Sequence, residues 1–386
     1  MALPTSPRQP GPRAGQSAGL FTRAIDALPP YQPGASLGEI RRRSGASEIA
    51  KLASNESPLG PTAAALSALH EHASEVALYP DGAARSLTAR LAGHHGVHPG
   101  QVLVGSGGDG CIDALVAAVI GPGDELICGW PSFPTPMRSA LRLGGNVTRV
   151  PLRDDHHHDL EAMLAAIGPA TKLVYICHPN NPTATANTDA ELEAYLAAVP
   201  EHVLTVLDQA YFDFVSEPWY GDGIDLVRRG QRVAVVRTFS KIHGLAGLRV
   251  GYLVAPDAVI AAARKAQRAF EVGLTSQAAA EASLLETAEL ERRRELNSAG
   301  RRDLVERLTR LGIPPEPGAV ANFVFVRPPY DAERFADDLL ELGVAIRPLT
   351  GFGAPAHVRI TVGSDRDHEL LEAAVLQLSA AAGGRR

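Results

Sequence analysis

The chain has 386 residues, of which 45% are hydrophobic and 21% charged, and its formal net charge is −6. That length allows a substantial core and two domains. The acidic balance argues against a nucleic-acid binder, which needs a basic face to meet phosphates, and no apolar run reaches the about 18 residues of a membrane span.

Residues 1–20 carry arginines but lack the apolar core of a secretion signal, and they read as a disordered or clasping arm. From 21 to 65 the chain is rich in Pro and Gly. It includes LPPYQPG (28–34) and KLASNESPLGP (51–61) and is expected to join a small C-terminal domain. Residues 66–285 read as a large domain. Short apolar runs alternate there with helix-like stretches: VLVG (102–105), ELICGW (125–130), NVTRV (146–150), KLVYIC (172–177), HVLTVLD (202–208), VAVVRT (233–238) and RVGYLVA (249–255). That alternation predicts an α/β fold with a mostly parallel sheet covered by helices on both faces. Residues 286–386 differ in texture. A charged helix over about 284–311, a second over 331–342, a strand with AIRP and the run HVRITVG predict a small α+β domain with its own core.

Four segments carry chemistry. GSGGDG (105–110) lies between a strand and a helix, where backbone N–H groups cradle anions and glycines permit close approach. It lacks the GK[ST] of a nucleotide loop; the competing reading is a tight capped turn. HPNNPTAT (178–185) places Asn181 in a proline-stiffened turn at a strand's carboxyl end, where open α/β sheets bind ligands. DQAY (208–211) ends a buried strand with Asp208, a costly carboxylate unless a cation pairs with it. That cation is either an ordinary basic side chain or a protonated pyridine nitrogen. TFSKIHGLAGLRVGY (238–252) puts Lys241 after Ser240 in a loop at a strand end, with Arg249 farther on. Such a lysine attacks aldehydes beside an anion site, or else it is a solvent lysine.

The remaining signals are structural. Cys111, Cys128 and Cys177 sit in apolar surroundings and read as buried free thiols in a reducing cytoplasm. The triple histidine 156–158 reads as a solvated loop, and no histidine group has metal-ligand spacing. Arg41, Arg42 and Arg43 read as a helix surface.

Taken together and in order, GSGGDG, HPNNPTAT, LDQAY, TFSKIHGLAGLRVGY and HVRITVG resemble the fold-type I aminotransferases that use pyridoxal 5′-phosphate (PLP). The nearest likeness is to the histidinol-phosphate and aromatic branch, which LPPYQPG, KLASNESPLGP and LYPDG (78–82) also match. The resemblance spans about residues 28–363 and implies a seven-stranded, mostly parallel sheet in the large domain. It also implies roles. Lys241 resembles the lysine that holds the cofactor and moves the proton, and Asp208 the partner of the pyridine nitrogen. Asn181 and Tyr211 resemble the pair on the phenolic oxygen. Gly108, Asp109, Ser240 and Arg249 resemble the phosphate ligands. Tyr79 resembles a tyrosine that reaches the partner's cofactor site, which implies a homodimer. Arg359 resembles the arginine that grips a substrate carboxylate, and Asn55, Tyr31 and Arg347 fall among the substrate-side residues. Three departures stand out. Pro136 occupies the place of the ring-stacking tyrosine, which leaves Phe133 or Trp130 to stack. Gln209 replaces an acid, and Ala184 replaces a turn glycine. The implied activity is amino-group transfer to a 2-oxo acid such as 2-oxoglutarate, in the cytoplasm. Another PLP reaction on the same fold (decarboxylation, elimination or cyclisation) and a non-catalytic PLP-binding sensor are the alternatives.

Overall fold

The structure is a computed structural model and describes residues 19–30 and 33–383. Tyr31 and most of the N-terminal arm lie outside the described residues.

Seven strands form the central sheet: β2 (Val102–Gly105), β3 (Glu125–Trp130), β4 (Asn146–Pro151), β5 (Thr171–Cys177), β6 (Leu204–Asp208), β7 (Val233–Thr238) and β8 (Gly251–Val254). They lie in the order β2-β8-β7-β6-β5-β3-β4. All pairings are parallel except those of β8, which runs antiparallel to both neighbours. The inner strands are buried almost throughout, so they read as continuous apolar runs rather than alternating ones. One core cluster packs on each face: Leu87, Leu91 and Val235 on one, Leu103, Ile112 and Leu173 on the other.

A second body holds its own core around Leu304, Phe335, Val324 and Ile360. Its three-stranded antiparallel sheet joins β9 (Phe323–Val326), β11 (Arg347–Pro348) and β12 (Val358–Thr361). The N-terminal strand β1 (Ala50–Lys51) pairs in parallel with β10 (Val344–Ala345), and Arg43 bonds Glu341 and Asp337. The early chain therefore docks on the late chain, as its composition implies, and Arg43 is tied down rather than simply solvated.

The charged helix runs over Thr287–Arg310, and Leu274–Leu284 before it is a separate helix. One expectation changes. The triple histidine is not a solvated loop. His158 is buried and its Nε2 donates to the Cys177 carbonyl at 2.9 Å, while His156 is held at φ +65°. The three cysteines are buried and free. Among the described residues no helix is long and apolar enough to cross a membrane, and no group of side chains forms a metal site.

Candidate active site

A pocket opens where the carboxyl ends of β5, β6 and β7 meet the second body. Gly108, Asp109, Phe133, Asn181, Asp208, Tyr211, Ser240, Lys241, Arg249, Asn55, Arg347 and Arg359 all line it. The proposed residues thus converge, with two absentees. Tyr31 lies outside the described residues. Tyr79 is 82% exposed, stacked on Phe270 at 4.7 Å, and does not line the pocket of its own chain.

At the floor, Asp208 closes β6. Its Oδ1 accepts from the Ala210 N–H at 3.0 Å and its Oδ2 from the Tyr175 hydroxyl at 2.5 Å. No basic side chain pairs with it among the described residues. Burial pushes its pKa up to about 6, against the pull of those two donors. Lys241 follows β7 through the Thr238–Ser240 turn, and its Nζ donates to the Ser54 carbonyl at 3.3 Å. Burial, helped by the positive charge of Arg359, brings its pKa down to about 8. A buried acid without a cation and a half-buried amine without an acid face one pocket, which is the polarity that a cationic ring and an aldehyde would complete.

One end of the pocket is built for an anion. The helix Gly107–Val119 starts there, and its first N–H groups lie at the positive end of the helix dipole. Arg249, in the left-handed region at φ +51°, reaches Ser240 Oγ at 3.4 Å and Asp109 Oδ2 at 3.1 Å. The fit demands glycine. A Cβ on Gly107 (φ +73°) would lie 2.6 Å from Arg249 Nη2, and one on Gly251 would lie 2.5 Å from the Gly107 carbonyl carbon. Asp109 turns its other oxygen toward the Thr135 hydroxyl, which leaves its backbone in the helix's first turn.

The opposite end is built from distant segments. Arg359 Nη1 donates to Asn181 Oδ1 at 2.5 Å, and Nη2 donates to the Ala53 carbonyl at 2.7 Å. Asn181 Nδ2 has no partner among the described residues. Asn55, at φ +54°, donates through Nδ2 to the Tyr211 hydroxyl at 3.0 Å. Arg347 and Arg359 stand over Phe352 at 5.6 and 5.5 Å.

The departures also have outcomes. Phe133 lines the pocket, Pro136 is buried outside it, and Trp130 lines the neighbouring cavity, so of the two aromatic candidates only Phe133 reaches this pocket. Ala184 does sit at φ +64°. Gln209 is buried behind Asp208. It accepts from Arg237 Nη2 at 2.9 Å and donates to the Gly221 carbonyl at 3.1 Å.

Sequence reasoning missed Tyr175, Ser54 and Phe352. Tyr175 had a readable signal, a phenol inside a strand buried around it from Leu173 to Cys177, whose hydroxyl must find a partner. The other two enter only through tertiary contact.

The sequence profile of "Aminotransferase class I and II" matches residues 47–378. A histidinol-phosphate aminotransferase of Moorella thermoacetica is 40% identical over 358 residues, covering 92% of each chain. An aromatic amino acid aminotransferase of Thermobifida fusca is 41% identical, over 90% of this chain and 93% of that one. Among solved structures, the histidinol-phosphate aminotransferase of Sinorhizobium meliloti in complex with PLP superposes with a TM-score of 0.83 at 30% identity, covering 93% of this chain and 98% of that one.

Proposed function

The chain belongs to the class I and II aminotransferases, a PLP-dependent enzyme family, and on that premise we propose that it moves the amino group of histidinol phosphate or an aromatic amino acid to 2-oxoglutarate. The observation that carries this reading is the juxtaposition of half-buried Lys241 and buried Asp208, each without its counter-charge, in one pocket with an anion cup at one end and Arg359 at the other. The identity with histidinol-phosphate and aromatic aminotransferases supports the choice of donor. We place the enzyme in the cytoplasm, in keeping with its three free thiols.

The residues divide the work. Gly108, Asp109, Ser240 and Arg249 would hold the cofactor phosphate, through the helix N-terminus and one guanidinium. Asp208 would pair with the pyridine nitrogen and keep it protonated, with Tyr175 and the Ala210 N–H holding the carboxylate in place. Asn181 and Tyr211 would offer donors to the phenolic oxygen, and Phe133 would cover the ring. When bound, PLP supplies an aldehyde that captures the amino group and a ring that draws electrons from the Cα–H bond. Lys241 Nζ, with a pKa near the operating pH, takes the substrate Cα proton and returns it on the far side of the transfer. Arg359 grips the substrate carboxylate or phosphate, and Asn55 and Arg347 close that end. Tyr79, with exposed Val76 and Leu78 beside it, reaches the site of a second copy.

The test has two parts. Borohydride treatment of PLP-loaded protein followed by peptide mass analysis should place the cofactor mass on Lys241, and mixing with histidinol phosphate or phenylalanine should yield pyridoxamine phosphate. A cofactor mass on another residue sinks the site assignment, and release of product without pyridoxamine phosphate sinks amino transfer.

A further inference from the structure

The triple-histidine loop, which no part of this mechanism uses, meets the site from behind. On one side the His156 carbonyl accepts hydrogen bonds from the Thr183 and Thr185 hydroxyls at 3.3 and 2.7 Å. Those two residues bracket Ala184 in the turn that presents Asn181. On the other side the His156 ring crosses to the second body. Its Nε2 lies 3.6 Å from Glu316 Oε2, and Glu316 Oε1 lies 3.4 Å from His357 Nε2. The His156 ring also meets Phe325 edge-on at 5.2 Å, and Phe325 stacks on His357 at 4.1 Å. Phe325 is the cross-strand neighbour of Arg359, and His357 precedes Arg359 by two residues on the same strand face. The Glu316 N–H donates to the Phe325 carbonyl at 2.8 Å, so the carboxylate is anchored to that strand pair.

One residue therefore holds the Asn181 turn with its backbone and the Arg359 strand with its ring. His156 does so at φ +65°, a conformation costing a non-glycine residue about 1 kcal/mol that the surroundings must sustain. We propose that His156 and Glu316 are positioning residues: they form a brace between the two bodies that fixes Arg359 against Asn181 and so sets the geometry of the carboxylate grip. This rests on the reading of Arg359 as that grip. A guanidinium binds a carboxylate through two parallel bonds only when its plane is fixed, and its own bond to Asn181 fixes that plane only while the turn and the strand stay in register.

The experiment measures binding of maleate, a dicarboxylate with no amino or oxo group to react, to the PLP-loaded enzyme by calorimetry, beside steady-state kinetics and melting temperature. Glu316→Gln keeps the side-chain shape and removes the charge; His156→Ala removes the ring. Each should weaken maleate binding and raise KM about tenfold, within the range of coupling between residues of one network, with kcat changed by no more than about twofold. The double variant should lose little more than either single, because both cut one connection. His157→Ala, in the same loop but bonded to Asp155, should bind maleate normally. A merely structural role would lower the melting temperature and leave maleate binding unchanged, and that result overturns the proposal. If His156→Ala does not fold, Glu316→Gln carries the test alone. Arg359→Lys separates the two layers. If it leaves maleate binding intact, the grip itself is misassigned; if it weakens binding while Glu316→Gln does not, only the brace fails.

Discussion

The wall of the pocket that carries Asn181, Asp208 and Lys241 comes from the ends of three adjacent strands, β5, β6 and β7, whereas the wall that carries Asn55 and Arg359 joins segments as far apart as Asn55 and Thr361, 306 residues in sequence. The first wall is set by the sheet itself and exists as soon as those strands pair. The second exists only when the N-terminal strand has docked on the late chain and the late chain has closed on the sheet. On the proposed assignment, chemistry rests on the wall made locally, and substrate grip on the wall made by long-range closure. Substitutions in the first should stop turnover, and substitutions in the second should weaken binding.

The largest effect tests the first half of that contrast. Lys241→Ala should lower kcat by on the order of 10⁴-fold, since it removes the group that moves the proton, and should leave the melting temperature nearly unchanged. Asp208→Asn should cost about 10²-fold while the protein still takes up cofactor. Single-turnover kinetics measure both. Near-normal turnover in Lys241→Ala would place the chemistry elsewhere.

The sheet wall carries the larger acid liability. Behind and beside it, burial lowers the imidazoles of His95 and His178 to about 3 and those of His158 and His243 to about 4. Both ring nitrogens of His178 lack partners. Each group binds its proton in the unfolded chain near pH 6.5 but not in the folded one, so stability is intact above pH 6.5 and is lost as pH falls from 6.5 toward 4. The slope is about 1.4 kcal/mol per pH unit for each histidine, or up to about 5 for all four. Denaturant titrations at pH 7, 6 and 5 should show this loss, and His178→Asn should make it shallower. A flat profile would mean that those imidazoles are not buried neutral.

Most of the fold was legible because the buried strands are short apolar runs bounded by turns, and the local wall was legible because each of its residues sits in a motif at a strand end. What stayed hidden was tertiary. Tyr175 is read as core until Asp208 is seen beside it. His158 sits among charged residues in sequence, yet it fills the space against β3, where a Cβ on Gly129 would meet its ring. Tyr79 does not line the pocket of its own chain, so its proposed role depends on a second copy.

The second wall should answer differently from the first. Arg359→Gln should raise KM for carboxylate substrates about 10²-fold and change kcat far less, because it deletes a two-bond grip. It should also disclose coupling between the walls. Arg359 helps hold the Lys241 pKa near 8, and only the neutral amine captures an aldehyde. Removing that charge raises the pKa, so the midpoint of PLP capture by the cofactor-free protein should move above pH 8. An unchanged midpoint would leave burial as the sole cause.

The smallest effect falls on the seam, at Ala184, whose φ of +64° invites glycine. Relief of the left-handed strain favours Ala184→Gly by about 1 kcal/mol. Against it stand a fully buried methyl packed with Tyr211 and Phe323, worth about 0.8 kcal/mol, and the added freedom of an unfolded glycine, worth about 0.4–1 kcal/mol. The losses slightly exceed the gain, so Ala184→Gly should be neutral to weakly destabilising in a denaturant titration. Ala184→Val adds a branched carbon at the same φ in a site with no free space and should cost about 3 kcal/mol. A clear stabilisation by glycine would mean that the methyl packs poorly, and the turn that presents Asn181 would then be held mainly by its threonines.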